Sequence, residues 1–287
     1  GVGGCVFCGE IGAGYENLPA SMTVQEQLRK NIEHIAPKYK AYKYIPYYQN
    51  FSNTYLEPDR FRDYMEAGCI DTTVGLAIAT RPDCINDTYL EILADIKEKY
   101  SVDIYLEYGL QSVNYHTLEK INRGHGLAEF IDAVLCTKRY GFDVCAHMIL
   151  NLPWDTEDDA FEGARILSSL GIEQVKLHAL YIVKNTKMAQ WYEAGDISLI
   201  DADAYIDRVI GFVRRLHPDT VLQRLVGRAP ETNTLFTNWS MGWWRIQEEI
   251  DRRMEEGDYH QGDLCDYLNG RAVRKFTGCT ANRGGRL

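Results

Sequence analysis

The chain has 287 residues, 45% hydrophobic and 25% charged, and its 31 basic and 41 acidic side chains leave a formal net charge of −10. That is an ordinary globular composition, long enough for one large α/β domain with a well-buried core. The acidic balance argues against non-specific duplex binding, which relies on clustered Lys and Arg releasing counterions. No run is long and apolar enough to span a bilayer and no secretory h-region is visible, so no membrane partner is expected.

The chain opens on a glycine-rich loop, Gly3-Gly4-Cys5-Val6-Phe7-Cys8. A C-x-x-C of this kind is a zinc half-site, a dithiol redox pair or two ligands of an iron–sulfur cluster. The other six of the eight cysteines are scattered singly, which in a long aromatic-rich chain points to a reduced, cytoplasmic protein, not a disulfide scaffold. Helical periodicity over about 23–35 is then followed by a β-rich run over 42–51, Pro46 notwithstanding. The alternation continues with helix over 59–67, strand over 72–79, helix over 87–99, strand over 102–110, helix over 127–140, strand over 142–150, helix over 156–170 and strand over 174–181. Asn86 marks one helix start, Glu157, Asp158 and Asp159 load another's first turn with acids, and Gly141 and Gly171 fall where helices should stop.

Such alternation builds an α/β fold with a parallel sheet and right-handed crossovers, and ligands gather at the carboxyl ends of its strands. No strand precedes Cys5, so the first βα unit is expected upstream of residue 1. Beyond residue 181 the pattern becomes helical, near 187–193 and 202–216, with a short strand near 221–225 and a Trp-rich helix containing Trp239, Trp243 and Trp244. The expected organisation is a core over 1–185 and a C-terminal extension over 186–287 packed on it.

Several side chains stand out by position. Glu107 lies inside an apolar strand, where a carboxylate is costly unless hydrogen-bonded; a structural ion pair and a ligand hydroxyl would both satisfy it. Gln111 and Ser112 follow at that strand's carboxyl end. His147 and His178 sit in the last two strands, where a histidine is either a satisfied core group or a ligand contact. Cys84 follows a strand on the expected active face; it reads as a small buried hydrophobe or, as the one catalytic candidate, a reactive thiol. Cys69, Cys136 and Cys145 read as core residues, and Cys265 and Cys279 match no ligand spacing.

Six segments in order carry a more specific signal: Cys5-Val6-Phe7-Cys8, residues 47–55 (Tyr-Tyr-Gln-Asn-Phe-Ser-Asn-Thr-Tyr), Ala79-Thr80-Arg81-Pro82-Asp83-Cys84, Glu107-Tyr108-Gly109-Leu110-Gln111-Ser112, Ile121-Asn122-Arg123-Gly124-His125 and Leu152-Pro153-Trp154-Asp155-Thr156. Together they resemble the radical S-adenosylmethionine superfamily. Within it they are similar to an uncharacterised bacterial family related to the Elongator catalytic subunit and to oxygen-independent coproporphyrinogen oxidase.

The resemblance implies a partial (β/α)6 TIM-like barrel with a helical C-terminal extension. It implies a [4Fe–4S] cluster on three cysteines, with S-adenosylmethionine on the fourth iron. Reductive cleavage then gives a 5′-deoxyadenosyl radical that abstracts hydrogen from a substrate, in an oxidoreductase- or transferase-type reaction. Cys5 and Cys8 match the last two cluster ligands, and the first is expected upstream of residue 1. By the same resemblance Ser52, Asn53 and Thr54 hold the methionine amine, Glu107 takes the ribose hydroxyls and Gln111 and Ser112 face the pocket. Arg123 pairs with the methionine carboxylate, His147 reaches the cofactor, and Leu180 and Tyr181 frame the adenine. An electron donor of flavodoxin or ferredoxin type is implied. The substrate is open between a small molecule and tRNA, which relatives of this kind modify. The alternative is a metal- or cluster-stabilised RNA-binding module without radical chemistry.

Overall fold

The computed structural model describes residues 4–9, 18–228 and 232–277. In chain order its elements are α1 (Val24–Tyr39), β1 (Tyr47–Tyr48), α2 (Pro58–Ala67), β2 (Gly75–Thr80), α3 (Asp87–Tyr100), β3 (Asp103–Gln111), α4 (Tyr115–Lys120), α5 (Leu127–Arg139), β4 (Asp143–Ile149), α6 (Glu157–Ser169), β5 (Gln174–His178), β6 (Ile182–Val183), α7 (Lys187–Ala194), α8 (Ala202–Arg215), β7 (Val221–Arg224), β8 (Thr234–Phe236), α9 (Trp243–Glu256) and α10 (Arg274–Thr277). Cys279 lies outside the described residues. No described helix is long and apolar enough to cross a membrane.

The chain forms two compact units, one from residues 10–109 and 129–144, the other from 1–9, 110–128 and 145–287. In the first, β1, β2 and β3 run parallel, with Ala77 opposite Tyr47 and Leu106 opposite Ile78. β2 is Gly-Leu-Ala-Ile-Ala-Thr and is covered on both sides, as a parallel strand is when helices pack on both faces. Its Leu76 and Ile78 are fully buried, as are Phe61 of α2 and Leu90, Leu93 and Ile96 of α3. Each such side chain contributes ~1.5–3 kcal/mol on leaving water. Phe61 meets the Tyr89 ring edge-on at 5.2 Å.

In the second unit, β4, β5 and β7 run parallel in that order. Val175 and Leu177 are fully buried on one face of β5. α6 packs against α8 and α8 against α9; Leu167, Phe212, Ile246 and Ile250 are among the fully buried residues of these helices. A capping box joins Thr156 and Asp159 at the start of α6. Gly141 and Gly171 follow helices with φ of +68° and +61°, the left-handed termination glycine permits without strain. β6 and β8 make a separate antiparallel pair.

Four expectations are corrected. The run over 42–51 yields only β1 and an isolated bridge from Tyr44 to Thr73, because Pro46 has no N–H to give the ladder; its carbonyl still accepts from the Ala77 amide at 3.0 Å. The run over 174–181 splits into β5 and β6, so Leu180 and Tyr181 occupy the link between them. Trp239 is not in the Trp-rich helix. It lies in a tight turn, Asn238–Ser240, whose three residues have φ of 40°, 53° and 59°, and α9 starts at Trp243. Cys69 and Cys136 are half-buried rather than core, the Cys136 sulfur lying 3.2 Å from Arg139 Nη2. The short helix α4 carries no periodic signal long enough to read from sequence.

Candidate functional site

The Cys5–Cys8 loop is held from both sides in the second unit. The Val6 amide donates to the Ile121 carbonyl, and the Val6 carbonyl accepts from Met188, each at 3.0 Å. Asn122 Nδ2 donates to the Gly4 carbonyl at 2.7 Å. The Cys8 amide closes on the Cys5 carbonyl at 3.1 Å, so the two thiols share one tight turn. Val6 and Phe7 pack against an apolar cluster that includes Ile121, Leu152, Leu180, Ile182 and Met188. Phe7 is thus an anchor of the loop.

Arg123, only 9% exposed, donates from Nη1 to the Cys5 sulfur at 3.4 Å. The Cys8 thiol is pushed up from its ordinary pKa, first by its hydrogen bond with Cys5 and then by loss of water, while Arg123 pulls it down. Two adjacent thiols that resist ionising together, with a cation aimed at one sulfur, fit a centre whose metal charge ionises both. Among the described residues no third cysteine, histidine or carboxylate closes on the pair. The donor set is therefore two of the three thiolates a site-differentiated cubane requires.

The other strand-end residues of this unit are tied into local networks. Gln111 closes β3 with φ of +73°. Ser112 is buried and its Oγ accepts from the Asn114 amide at 3.0 Å. Asp155 lies nearby; burial lifts its pKa from 3.8 to about 6, against the neighbouring Thr117 and Ser112 hydroxyls and the charge of Arg208. Arg208 Nη1 donates to the Leu150 carbonyl at 2.7 Å. Asn151 Oδ1 accepts the Leu180 amide at 2.6 Å, fixing the backbone where an adenine contact was expected. His147 stacks on His178 with centroids 5.2 Å apart. Burial, then Arg224, His147 and Lys176, hold His178 well below the usual histidine range, so it stays neutral. His125 is buried, its Nδ1 3.1 Å from the Gly126 carbonyl.

The first unit gathers the remaining candidates. Asn53 Nδ2 bridges the Tyr48 and Ala79 carbonyls at 2.8 Å each, pinning the turn after β1 to the end of β2. Thr54 and Thr80 join hydroxyls at 2.6 Å in a buried pair. The Ser52 hydroxyl bonds the Cys84 thiol, whose pKa is raised chiefly by burial. Glu107, 3% exposed, accepts from the Tyr47 hydroxyl at 2.7 Å. Arg81 and Asp83 form a bidentate ion pair just past β2.

Sequence reasoning missed Tyr47, Asn151, Arg208 and Arg224. For Tyr47 the signal was present, since it opens one of the six specific segments. Asn151 stands one residue before the sixth specific segment. For Arg208 and Arg224 no local pattern reveals that a helix will bury the one and a strand half-bury the other.

Parallel strands with interleaved helices and a helical C-terminal part define an α/β fold, and a cysteine loop packs on the apolar cluster of its second unit. The family model of the radical SAM superfamily matches residues 2–175, and that of the Radical_SAM C-terminal domain matches 172–256. The chain belongs to the radical SAM superfamily, whose members bind a [4Fe–4S] cluster and S-adenosylmethionine. It is 34% identical over 266 residues to an uncharacterised protein of Methanocaldococcus jannaschii, covering 91% of this chain and 81% of that one. Its fold is similar to archaeal Elp3 of Methanocaldococcus infernus at a TM-score of 0.70 and 16% identity, over 88% of this chain and 64% of that one. It is also similar to SuiB of Streptococcus suis bound to S-adenosylmethionine, at a TM-score of 0.52 and 15% identity, over 83% and 52%.

Proposed function

We propose that this radical SAM enzyme cleaves S-adenosylmethionine reductively and that Cys5 and Cys8 hold two corners of its cluster, the third thiolate coming from a cysteine that precedes Gly1. The observation that carries this reading is the contact of Arg123 with the Cys5 sulfur on a loop clamped at Gly4 and Val6. When bound, the reduced cluster supplies an electron to the sulfonium of S-adenosylmethionine, whose cleavage leaves a carbon radical able to take hydrogen from a substrate.

The chain's own residues bind, orient and exclude water. Arg123 keeps positive charge beside the thiolates and pairs with the methionine carboxylate. The turn at Ser52, Asn53 and Thr54 offers oxygens to the methionine ammonium. Within that turn Asn53 mainly positions, because its amide nitrogen is already committed to two carbonyls. Glu107, oriented by Tyr47, accepts from the ribose hydroxyls. Gln111, Ser112 and His147 border the cofactor, and Leu180 and Tyr181 frame its adenine through a backbone fixed by Asn151. Cys84, held by Ser52, is the proposed thiol on the substrate side. The electron comes from a flavodoxin- or ferredoxin-type donor in the cytoplasm, and tRNA is the first macromolecular substrate to test.

Anaerobic reconstitution of the full-length protein should give a broad absorbance near ~400 nm with about four irons per chain. Dithionite should then release 5′-deoxyadenosine, and replacing Cys5 or Cys8 by Ala should abolish both. A colourless, iron-free protein refutes the reading. Tight, salt-steep tRNA binding without cleavage would favour a binding module instead.

A further inference from the structure

The geometry points to an oxyanion site at the carboxyl ends of β5 and β7, built on Arg224 and His178, that receives a phosphate or carboxylate of the substrate. That the anion belongs to the substrate rests on the reaction proposed above; the anion site itself does not.

A β-bulge creates the arrangement. Gln174 pairs with Val221 and Val175 with Leu222, but the register then shifts, and Lys176 faces Arg224 instead of Gln223. A bulge re-aims the side chains that follow it. Here it brings the arginine onto the face of β5 that carries Lys176 and His178, opposite the apolar face of Val175 and Leu177. Three basic side chains thereby share one face at the end of two parallel strands, where such sheets bind ligands.

Arg224 is the group that needs a ligand. Its Nη2 lies 3.0 Å from His178 Nδ1 and 2.8 Å from Nε2. A donor nearly equidistant from both ring nitrogens approaches across the N–C–N side of the imidazole, and so is aligned with neither lone pair. No carboxylate among the described residues pairs with this guanidinium, and its buried Nε has no hydrogen-bond partner. A planar cation with a buried, unused N–H is a ready fork for a carboxylate or phosphate. The neutral His178 beside it leaves room for an incoming negative charge without adding a second cation to be neutralised.

On the other side of His178 stands a second unfilled group. Gly227 stands so close that a Cβ on it would come within 3.3 Å of His178 Nδ1. Its carbonyl accepts from Asn238 Nδ2 at 3.1 Å, and the buried Asn238 Oδ1 has no partner. Asn238 opens the left-handed turn with Trp239 and Ser240, anchored where Trp239 Nε1 donates to the Ile200 carbonyl at 2.7 Å. Strain of this kind persists where packing enforces it and clusters at ligand clamps. An orphan donor on Arg224, which meets His178, and an orphan acceptor on Asn238, which meets Gly227 beside the same ring, suit an oxyanion that also carries an O–H, such as a monoprotonated phosphate ester or a hydroxycarboxylate.

Calorimetric titration of the full-length protein in chloride buffer, with inorganic phosphate in one arm and malonate in the other, tests this. Saturable binding of at least one is expected, with a shift of the His178 ring signals in nitrogen–proton spectra, assigned through His178→Gln. Arg224→Met should lower the affinity about tenfold or more while the melting temperature holds. If that variant does not fold, the wild-type His178 signals decide alone. No saturable binding, unchanged His178 signals or an undiminished affinity in Arg224→Met overturns the site. Release of 5′-deoxyadenosine is measured separately, so a protein that cleaves S-adenosylmethionine but ignores both anions refutes only this inference.

Discussion

The Arg123 guanidinium sits 3.4 Å from the Cys5 sulfur, although 118 residues separate them. The contact places a permanent cation against a thiol that must ionise to become a ligand. Arg123 lowers the pKa of neighbouring Cys8 for the same reason. In metal-free protein, Arg123→Met should therefore slow iodoacetamide alkylation of the pair at pH 8 severalfold, followed by mass spectrometry, and Arg123→Lys should restore part of the rate. Equal rates in all three proteins would show that the guanidinium does not act on the thiols.

The Tyr47–Glu107 hydrogen bond of 2.7 Å holds a buried carboxylate in one orientation. If that carboxylate takes ribose hydroxyls, Glu107→Gln should weaken S-adenosylmethionine binding by roughly 10- to 100-fold, the worth of one or two charge-assisted bonds. Tyr47→Phe should cost less, about tenfold, because it frees the carboxylate without removing it. Equilibrium dialysis with the cofactor measures both, and unaltered affinity in Glu107→Gln would make this residue purely structural.

Asn53 has a positioning role that can be separated from ligand contact. Its amide joins the carbonyls of Tyr48 and Ala79, so Asn53→Ala should destabilise the fold by about 1–3 kcal/mol through two lost acceptor partners. Asn53→Asp keeps the shape but replaces the donor by an acceptor facing two carbonyls, and should be worse than Ala. Urea unfolding of the three proteins gives the order.

Asp155 predicts an unusual pH dependence. Burial raises its pKa from 3.8 to about 6, so the folded chain holds this proton more tightly than the unfolded chain does. For a carboxyl shifted upward the stabilising effect is complete below the unfolded value and lost as pH rises through the folded one. Stability should thus fall by on the order of 2–3 kcal/mol from this group between about pH 4 and pH 6. Asp155→Asn should flatten that slope in melts run across this range; an equally steep slope in the variant would assign it elsewhere.

The alternation of strands and helices is legible along the chain, because apolar periodicity, N-caps such as Asn86 and Thr156 and stops such as Gly141 and Gly171 are local properties. The sequence by itself also determined the family, since Cys5-Val6-Phe7-Cys8 and the five later segments keep their order along the chain. The short pieces were not legible: β1 is cut by Pro46, α4 has too few turns for a period to emerge, and the left-handed turn at Asn238 has no glycine to announce it. Only the tertiary structure decided that Arg123 meets Cys5, that Tyr47 orients Glu107, and that a bulge sends Arg224 to His178. These are pairings between residues 46 to 118 positions apart. Local propensity carries no information about such pairs, because chain closure and register fix them only when the strands assemble.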